Sequence, residues 1–165
     1  MTTSPEDTRI TDWLEGRLPD EWFESFTVVG DREEITIVGT ISAPESGSAE
    51  GQSGRIRRFR EETRSARITI ARELESSTGR KVTWGATCGE TTEIFTRLSV
   101  PVMTRLSQPQ RIVLDTLVEA GVARSRSDAL AWCVRLVAQH QGEWLADLDS
   151  AMTAVRKVRE EGPRA

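Results

Sequence analysis

The sequence predicts an α+β fold in which a small N-terminal unit precedes a strand–helix–helix segment and a C-terminal helix. Two observations favour this class. Stretches of alternating β-branched residues are interspersed with longer stretches whose apolar residues recur at steps of three and four. A content of 37% hydrophobic and 29% charged residues is ordinary for a globular protein. We place the boundaries of the three parts at residues 1–95, 96–142 and 143–165.

The first elements are predicted to be a helix, a turn of helix and a β-hairpin. Ser4 and Pro5 suit a helix start, the apolar residues that follow give one buried stripe, and Pro19 ends the helix. Residues 21–26 resemble a short helical turn. Strands over 26–29 and 34–41 flank a polar turn, with Ile35, Ile37 and Ile41 on one face. The helix stripe comprises Ile10, Trp13, Leu14 and Leu18.

The remainder of the N-terminal unit is predicted to be a loop, a long helix and two strands. Residues 42–54 are rich in Ser, Gly, Pro and Ala, and we expect a mobile loop. A helix over about 55–77 follows, with Gly79 at its C-terminal end. Strands over 81–86 and 91–98 then enclose a turn. The helix carries an arginine cluster, which either holds phosphates or forms a solvated face paired with glutamates. The arginines are Arg57, Arg58, Arg60, Arg64 and Arg67, and the glutamates are Glu61, Glu62, Glu73 and Glu75.

The most specific pattern lies between residues 98 and 139. A short alternating strand is followed by a helix entered through Ser107-Gln108-Pro109, a tight connection at residues 120–123 and a second helix. Ser125 or Ser127 caps that helix, with Asp128 in its first turn. Residues predicted to be buried on the two helices are Ile112, Val113, Leu114, Leu117, Val118, Ala129, Leu130, Cys133, Val134 and Val137.

This order of elements resembles the ribbon-helix-helix family of DNA-binding proteins. The run Arg124-Ser125-Arg126-Ser127-Asp128-Ala129-Leu130 is similar to the opening of the second helix in that family, and Leu114 to Gly121 is similar to the end of its first helix. The resemblance implies a homodimer in which two strands pair antiparallel, enter the major groove and present outward side chains to base edges. It also implies that the second helix directs backbone N–H groups at a phosphate.

The resemblance assigns the residues of this segment to two faces. Leu98, Val100, Val102, Thr104 and Leu106 would point inward, and Ser99, Pro101, Met103 and Arg105 outward. The DNA-binding residues would be Ser99, Met103 and Arg105 on the ribbon and Ser125, Arg126 and Ser127 at the phosphate anchor. Arg105 is the strongest candidate for reading a base, because arginine pairs bidentately with guanine.

The C-terminal segment is predicted to be an amphipathic helix over 143–158. It packs on its own dimer or presents a surface to a partner, and residues 159–165 fray. Its apolar face is formed by Trp144, Leu145, Leu148, Met152 and Val155.

We find no residue pattern for a catalytic site, a metal site or a cofactor site. His140 is the single histidine, and Cys88 and Cys133 lie far apart in the sequence. Cys88 follows a strand beside Gly89, so we expect it to be the more exposed cysteine and a candidate for redox sensing. The sequence has no phosphate-binding glycine-rich loop of standard spacing.

Charge and composition frame two hypotheses about function. Residues 96–142 contain six basic and three acidic residues, a net charge of +3 within a chain of net charge −4. The N-terminus does not resemble a signal peptide, no stretch is apolar enough to span a membrane, and two cysteines are few, so we expect a cytoplasmic protein. An excess of arginine over lysine is typical of a GC-rich, bacterial genome.

The first hypothesis is a homodimeric, DNA-binding transcriptional regulator whose N-terminal unit senses a signal or contacts a partner. The alternative is a non-enzymatic interaction protein in which the ribbon-helix-helix-like segment only dimerises and the N-terminal unit docks another protein. The acidic overall charge and Pro101, which removes a donor from the strand, favour the alternative.

Overall fold

The computed structural model describes residues 5–44 and 47–161 and has the predicted mixed α+β architecture. The chain divides into two compact units, and the boundary between them along the chain lies between Pro101 and Val102. We call residues 5–101 the sheet unit and residues 102–161 the helical unit. The predicted cap at Ser4, part of the predicted loop at residues 45–46 and the end of the predicted frayed tail at 162–165 lie outside the described residues.

The sheet unit contains one four-stranded sheet in the order β1-β2-β3-β4. Helix α1 (Pro5–Arg17) precedes the hairpin of β1 (Ser25–Gly30) and β2 (Glu34–Thr40). Helices α2 (Ala49–Glu62) and α3 (Arg64–Thr78) form the crossover to β3 (Lys81–Cys88), which pairs parallel with β2. Strand β4 (Thr91–Ile94) returns antiparallel to β3.

The core of the sheet unit lies between the sheet and its three helices. The predicted alternation on β2 is confirmed, since Ile35, Ile37 and Ile41 are all buried. An ion pair between Arg17 and Glu73 joins α1 to α3, with donor–acceptor distances of 2.7 and 2.9 Å. The helices contribute the apolar side chains of Ile10, Leu14, Ile56, Ile70 and Leu74 to this core.

Two elements of the sheet unit differ from the prediction, one being absent and one shorter. Residues 21–26 do not form a turn of helix, because a tight turn closed by the Trp22 N–H on the Pro19 carbonyl (3.1 Å) leads directly into β1. Strand β4 ends at Ile94 rather than at residue 98. The last ladder contact is the N–H of Phe95 on the Trp84 carbonyl, at 2.7 Å.

The predicted loop at 42–54 is wrong in its second half, because α2 already begins at Ala49. The Ser48 hydroxyl accepts a hydrogen bond from the Gly51 N–H and caps the helix. Gln52 is buried, and its side chain bonds the Gly47 carbonyl and both the N–H and the hydroxyl of Thr91. These contacts anchor a glycine-rich turn of helix that its composition alone does not favour.

The predicted long helix is interrupted at Thr63, which separates α2 from α3. The Thr63 hydroxyl donates to the Phe59 carbonyl at 2.6 Å and accepts from Arg67 Nε at 2.9 Å. A threonine that bonds back to the preceding turn commonly bends a helix. Gly79 ends α3 with a positive φ of 71°, as predicted.

The helical unit contains α4 (Gln108–Glu119), α5 (Arg126–His140) and α6 (Gly142–Glu161). Its own core is small. Only Leu114, Ala123 and Ala129 are fully buried apolar residues among those described in this unit. Leu106, Leu117, Val118, Leu130 and Cys133 pack around them and remain partly exposed.

Candidate nucleic-acid interface

The predicted strand over 98–106 is not formed in the single chain. No described residue between Phe95 and Ser107 belongs to a strand, so the backbone of this segment has no ladder partner. The expected alternation of burial is also absent, since Val102 is 87% and Met103 97% exposed. A strand needs a neighbour for its hydrogen bonds, and a single copy of the chain does not supply one.

Four of the six predicted DNA-binding residues are simply exposed. Ser99, Met103 and Arg105 lie on the segment without a strand, and Ser127 lies in the first turn of α5. None of them contributes to the core of either unit. They are therefore sterically available to a second molecule, whereas Ser125 and Arg126 already have intramolecular contacts.

Helix α4 begins where the sequence predicts. The Gln110 side chain accepts hydrogen bonds from the Ser107 N–H at 2.8 Å and from its hydroxyl at 3.0 Å, which fixes the entry into the helix. At its other end Gly121 has a φ of 75°, a conformation that favours glycine, and the chain turns sharply towards α5.

Helix α5 is capped by Ser125, one of the two predicted candidates. The Ser125 hydroxyl accepts from the Asp128 N–H at 3.2 Å, and the Asp128 carboxylate accepts from the Arg124 N–H at 3.0 Å. The backbone hydrogen bond from Arg124 lowers the pKa of Asp128, so this carboxylate is charged at neutral pH. The helix N-terminus thus already holds one negative group beside the predicted phosphate anchor.

Arg126 forms a bidentate ion pair with Asp115 of α4, a contact that no local sequence pattern indicates. Arg126 Nε and Nη2 lie 2.6 and 2.8 Å from the two carboxylate oxygens. Hydrogen bonding across this pair lowers the pKa of Asp115 and raises that of Arg126. Both side chains remain largely exposed. An incoming phosphate would therefore compete with Asp115 for the guanidinium.

The helical unit leaves a large apolar surface uncovered. Val134 and Val137, predicted as the inner side of α5, are exposed, as are Ile112 and Val113 of α4. Helix α6 covers the predicted region and continues to Glu161, so the expectation that the chain frays from residue 159 is wrong for residues 159–161. Its apolar stripe is also exposed, with Trp144 at 56%. The side chains of this stripe are Trp144, Leu145, Leu148, Met152 and Val155.

The expectation that Cys88 is the more exposed cysteine is wrong. Cys88 is the last residue of β3 and is fully buried, while Cys133 is partly buried. The thiol of Cys88 lies 3.8 Å from the Ser42 carbonyl, and burial raises the pKa of this thiol. A raised pKa lowers the thiolate population, which disfavours a role in redox sensing. Across residues 5–44 and 47–161, no three or more His, Cys, Asp and Glu side chains are placed to hold a metal ion.

Comparison with known proteins identifies the family. Residues 8–94 match the family described as Rv1265-like protein, N-terminal domain, and residues 107–159 match the Mb1296 C-terminal domain. The chain belongs to the Rv1265-like family. These two matched regions lie one in each structural unit.

Two relatives are Uncharacterized protein Mb1296 of Mycobacterium bovis and Uncharacterized protein Rv1265 of Mycobacterium tuberculosis. Each is 55% identical to this chain over 163 residues, which cover 96% of this chain and 72% of the relative. No solved structure matches the chain. Within the part of the chain that the structure describes, no helix is both long enough and apolar enough to cross a membrane.

Proposed function

We propose that the chain is a homodimeric, DNA-binding transcriptional regulator of the cytoplasm, in which residues 98–106 of two copies pair as an antiparallel ribbon. The observation that carries the proposal is the imbalance of the helical unit. Among its described residues it buries three apolar ones fully and exposes many large ones, and such exposed apolar surface marks an interaction site. A second copy would cover this surface, so folding and dimerisation of the unit are coupled.

The exposed segment between the units supplies the ribbon. Val100 and Val102 are uncovered apolar residues two positions apart, the spacing that places side chains on one face of a strand. Pairing across a two-fold axis buries that face and gives the backbone N–H and C=O groups their missing partners. Met103 and Arg105 then lie on the opposite face, which is free to enter the major groove.

The charge of the segment is suited to DNA. Residues 96–142 carry a net charge of +3, while the chain as a whole is acidic. Arg105 has the fork of N–H donors that reads guanine, and Ser125, Arg126 and Ser127 surround the N-terminus of α5. Phosphate contacts fix the position of the ribbon, and Arg105 contributes sequence preference.

Fluorescence anisotropy with duplex DNA tests this function. We expect binding that weakens steeply as salt rises, because lysines and arginines displace counterions from phosphates. Arg105→Ala should cost about 1–3 kcal/mol of discrimination at one base pair. Arg32→Ala, which removes one exposed positive charge from the β1–β2 turn, is the control and should leave that preference unchanged. Absence of binding to pooled genomic fragments at low salt would rule out the regulator.

The Asp115–Arg126 pair gives a second prediction. Asp115→Asn should strengthen DNA binding several-fold at low salt, because Arg126 becomes available. The slope of the logarithm of the binding constant against the logarithm of salt concentration should increase by the amount expected for about one additional phosphate contact. The fold should be retained, since exposed ion pairs contribute about 0–1 kcal/mol.

Glu119→Gln removes a carboxylate of equal charge from the same helix and is the matched control. Equal gains in the two variants would show that only net charge matters and that Arg126 does not touch DNA.

The alternative, an interaction protein that dimerises without binding DNA, is favoured by one observation. The apolar stripe of α6 is exposed along several turns, which suits contact with another protein as well as with a second copy. A dimer that shows no salt-sensitive affinity for DNA would support this alternative, with the sheet unit as a further contact for the partner.

A further inference from the structure

A cavity in the sheet unit, independent of the proposed DNA-binding segment, has an unusual lining. It has a volume of about 450 Å³ and lies between α2, α3 and the sheet. Four arginines line it, together with a single carboxylate, that of Glu75. Glu75 is already engaged by Lys81 Nζ at 3.4 Å and by the Val82 N–H at 3.1 Å. The arginines are Arg60, Arg64, Arg67 and Arg72.

Arg67 is the most unusual of the four, because it is buried with only neutral partners. It is 7% exposed, and its guanidinium donates to the Thr63 hydroxyl and to the Arg60 carbonyl, at 2.9 and 2.7 Å. The ring of Phe95 lies 4.7 Å from its Cζ. Burial, followed by the positive charges of Arg60 and Arg64, lowers the pKa of Arg67 to about 10.

The compensation by glutamates that the sequence allowed is found for Arg58 but for none of the four cavity arginines. Sequence alone allowed these arginines to pair with Glu61, Glu62, Glu73 and Glu75. In the structure Glu62 pairs with Arg58, Glu73 with Arg17 and Glu75 with Lys81. The ion pairs formed by the described residues include none of the four cavity arginines. Buried charges in proteins are normally paired, and Arg67 is the buried one of the four. With the exposed Arg60, Arg64 and Arg72 beside it, the cavity wall is suited to an anion.

Trp84, a residue that lines the same cavity, carries a second buried donor. Trp84 is 5% exposed and lines the cavity, and its Nε1 has no hydrogen-bond acceptor among the described residues. A buried N–H without an acceptor is costly and uncommon in native proteins. The other lining residues are Thr96 and the apolar Ile68, Ala71, Val82 and Phe95. The cavity therefore combines positive charge with apolar surface, and one of its lining residues carries an unused donor.

We propose that this cavity binds a small organic anion, with its phosphate or carboxylate group between Arg60, Arg64 and Arg67 and its apolar or aromatic body against Phe95 and Trp84. Guanidinium groups bind both oxyanions through paired N–H donors. The apolar side chains of the cavity would contact the body of an organic anion, a contact that a free inorganic ion cannot make.

Isothermal titration calorimetry on the full chain without DNA, with phenyl phosphate, benzoate and benzyl alcohol as probes, tests the site. We expect at least one of the two anions to bind with one molecule per chain, and benzyl alcohol to bind at least about tenfold more weakly. The better of the two anions identifies the natural head group as phosphate or carboxylate. Failure of both anions at millimolar concentration, or equal binding of benzyl alcohol, would overturn the proposal.

Variants separate a binding role from a structural one. Arg64→Ala removes an exposed cavity arginine and should weaken the anion about tenfold or more, while Arg57→Ala, which is on α2 but outside the cavity, should bind as the unaltered chain does. Trp84→Phe should retain the packing and lose several-fold in affinity.

Arg67→Met provides a readout that a structural arginine would not give. Without anion its melting temperature should equal or exceed that of the unaltered chain, because an uncompensated buried charge is removed. Stabilisation by the anion should be lost. Anion binding that persists in both Arg64→Ala and Arg67→Met would refute the site.

Discussion

Replacing Val102 by aspartate is expected to convert the proposed dimer into a monomer. Val102 is 87% exposed in the single chain, so the substitution disturbs no packing within that chain. In the paired ribbon the side chain points inward, and the two-fold axis brings two carboxylates into the same apolar layer. Burying an unpaired charge costs several kcal/mol, enough to shift a micromolar dimer to monomer. Light scattering after size exclusion at micromolar concentration measures the change.

Met103→Asp is the matched control for this experiment. Met103 is the next residue, is 97% exposed and would point to the opposite face of the ribbon. The dimer should therefore persist, while affinity for DNA falls because a negative charge faces the phosphates. Two variants with the same oligomeric state would contradict an alternating, paired strand. A dimeric Val102→Asp variant would place the interface elsewhere, with the α6 stripe as the next candidate.

Patterns among residues close in the sequence predict most of the helices and strands of the sheet unit. The spacing of Ile35, Ile37 and Ile41 identified the buried face of β2, and Gly79 marked the end of α3. These features depend on neighbours in the sequence. Local patterns do not predict the helical turn at Ala49–Gly54, because Gln52 is fixed by Thr91, which is distant in the sequence. Composition cannot show such a contact.

The candidate interface was predictable only in part, for the same reason. The cap at Ser125 follows from a short motif and is present. The partner of Arg126 is Asp115, eleven residues earlier on another helix, and only the packing of α4 on α5 brings them together. The predicted strand at 98–106 is absent because no described residue offers this segment a ladder partner. The position of Cys88 at a strand end does not predict its exposure, because such a residue can still face the core.

Gly39→Ala is expected to destabilise the sheet unit by about 2–3 kcal/mol, although alanine in place of glycine ordinarily favours a folded chain. Gly39 lies in β2, and the ring of Phe23 occupies the position that a Cβ atom would take, overlapping Cγ, Cδ1 and Cε1 of that ring. The ring cannot move freely, because its centroid lies 5.1 Å from that of Phe59 and 6.1 Å from that of Trp22. Urea unfolding followed by circular dichroism measures the loss.

Gly16→Ala supplies the control, since a Cβ at this exposed position in α1 meets no atom within 4 Å. That substitution should stabilise the chain by up to about 1 kcal/mol. Combining Gly39→Ala with Phe23→Leu should recover part of the loss, because the smaller side chain makes room for the methyl group. Non-additive energies in this double-mutant cycle would assign the strain to the Gly39–Phe23 contact. A neutral Gly39→Ala variant would mean that the ring of Phe23 does not cover Gly39 of β2. The contacts of this ring with Trp22 and Phe59 would then have to be placed differently.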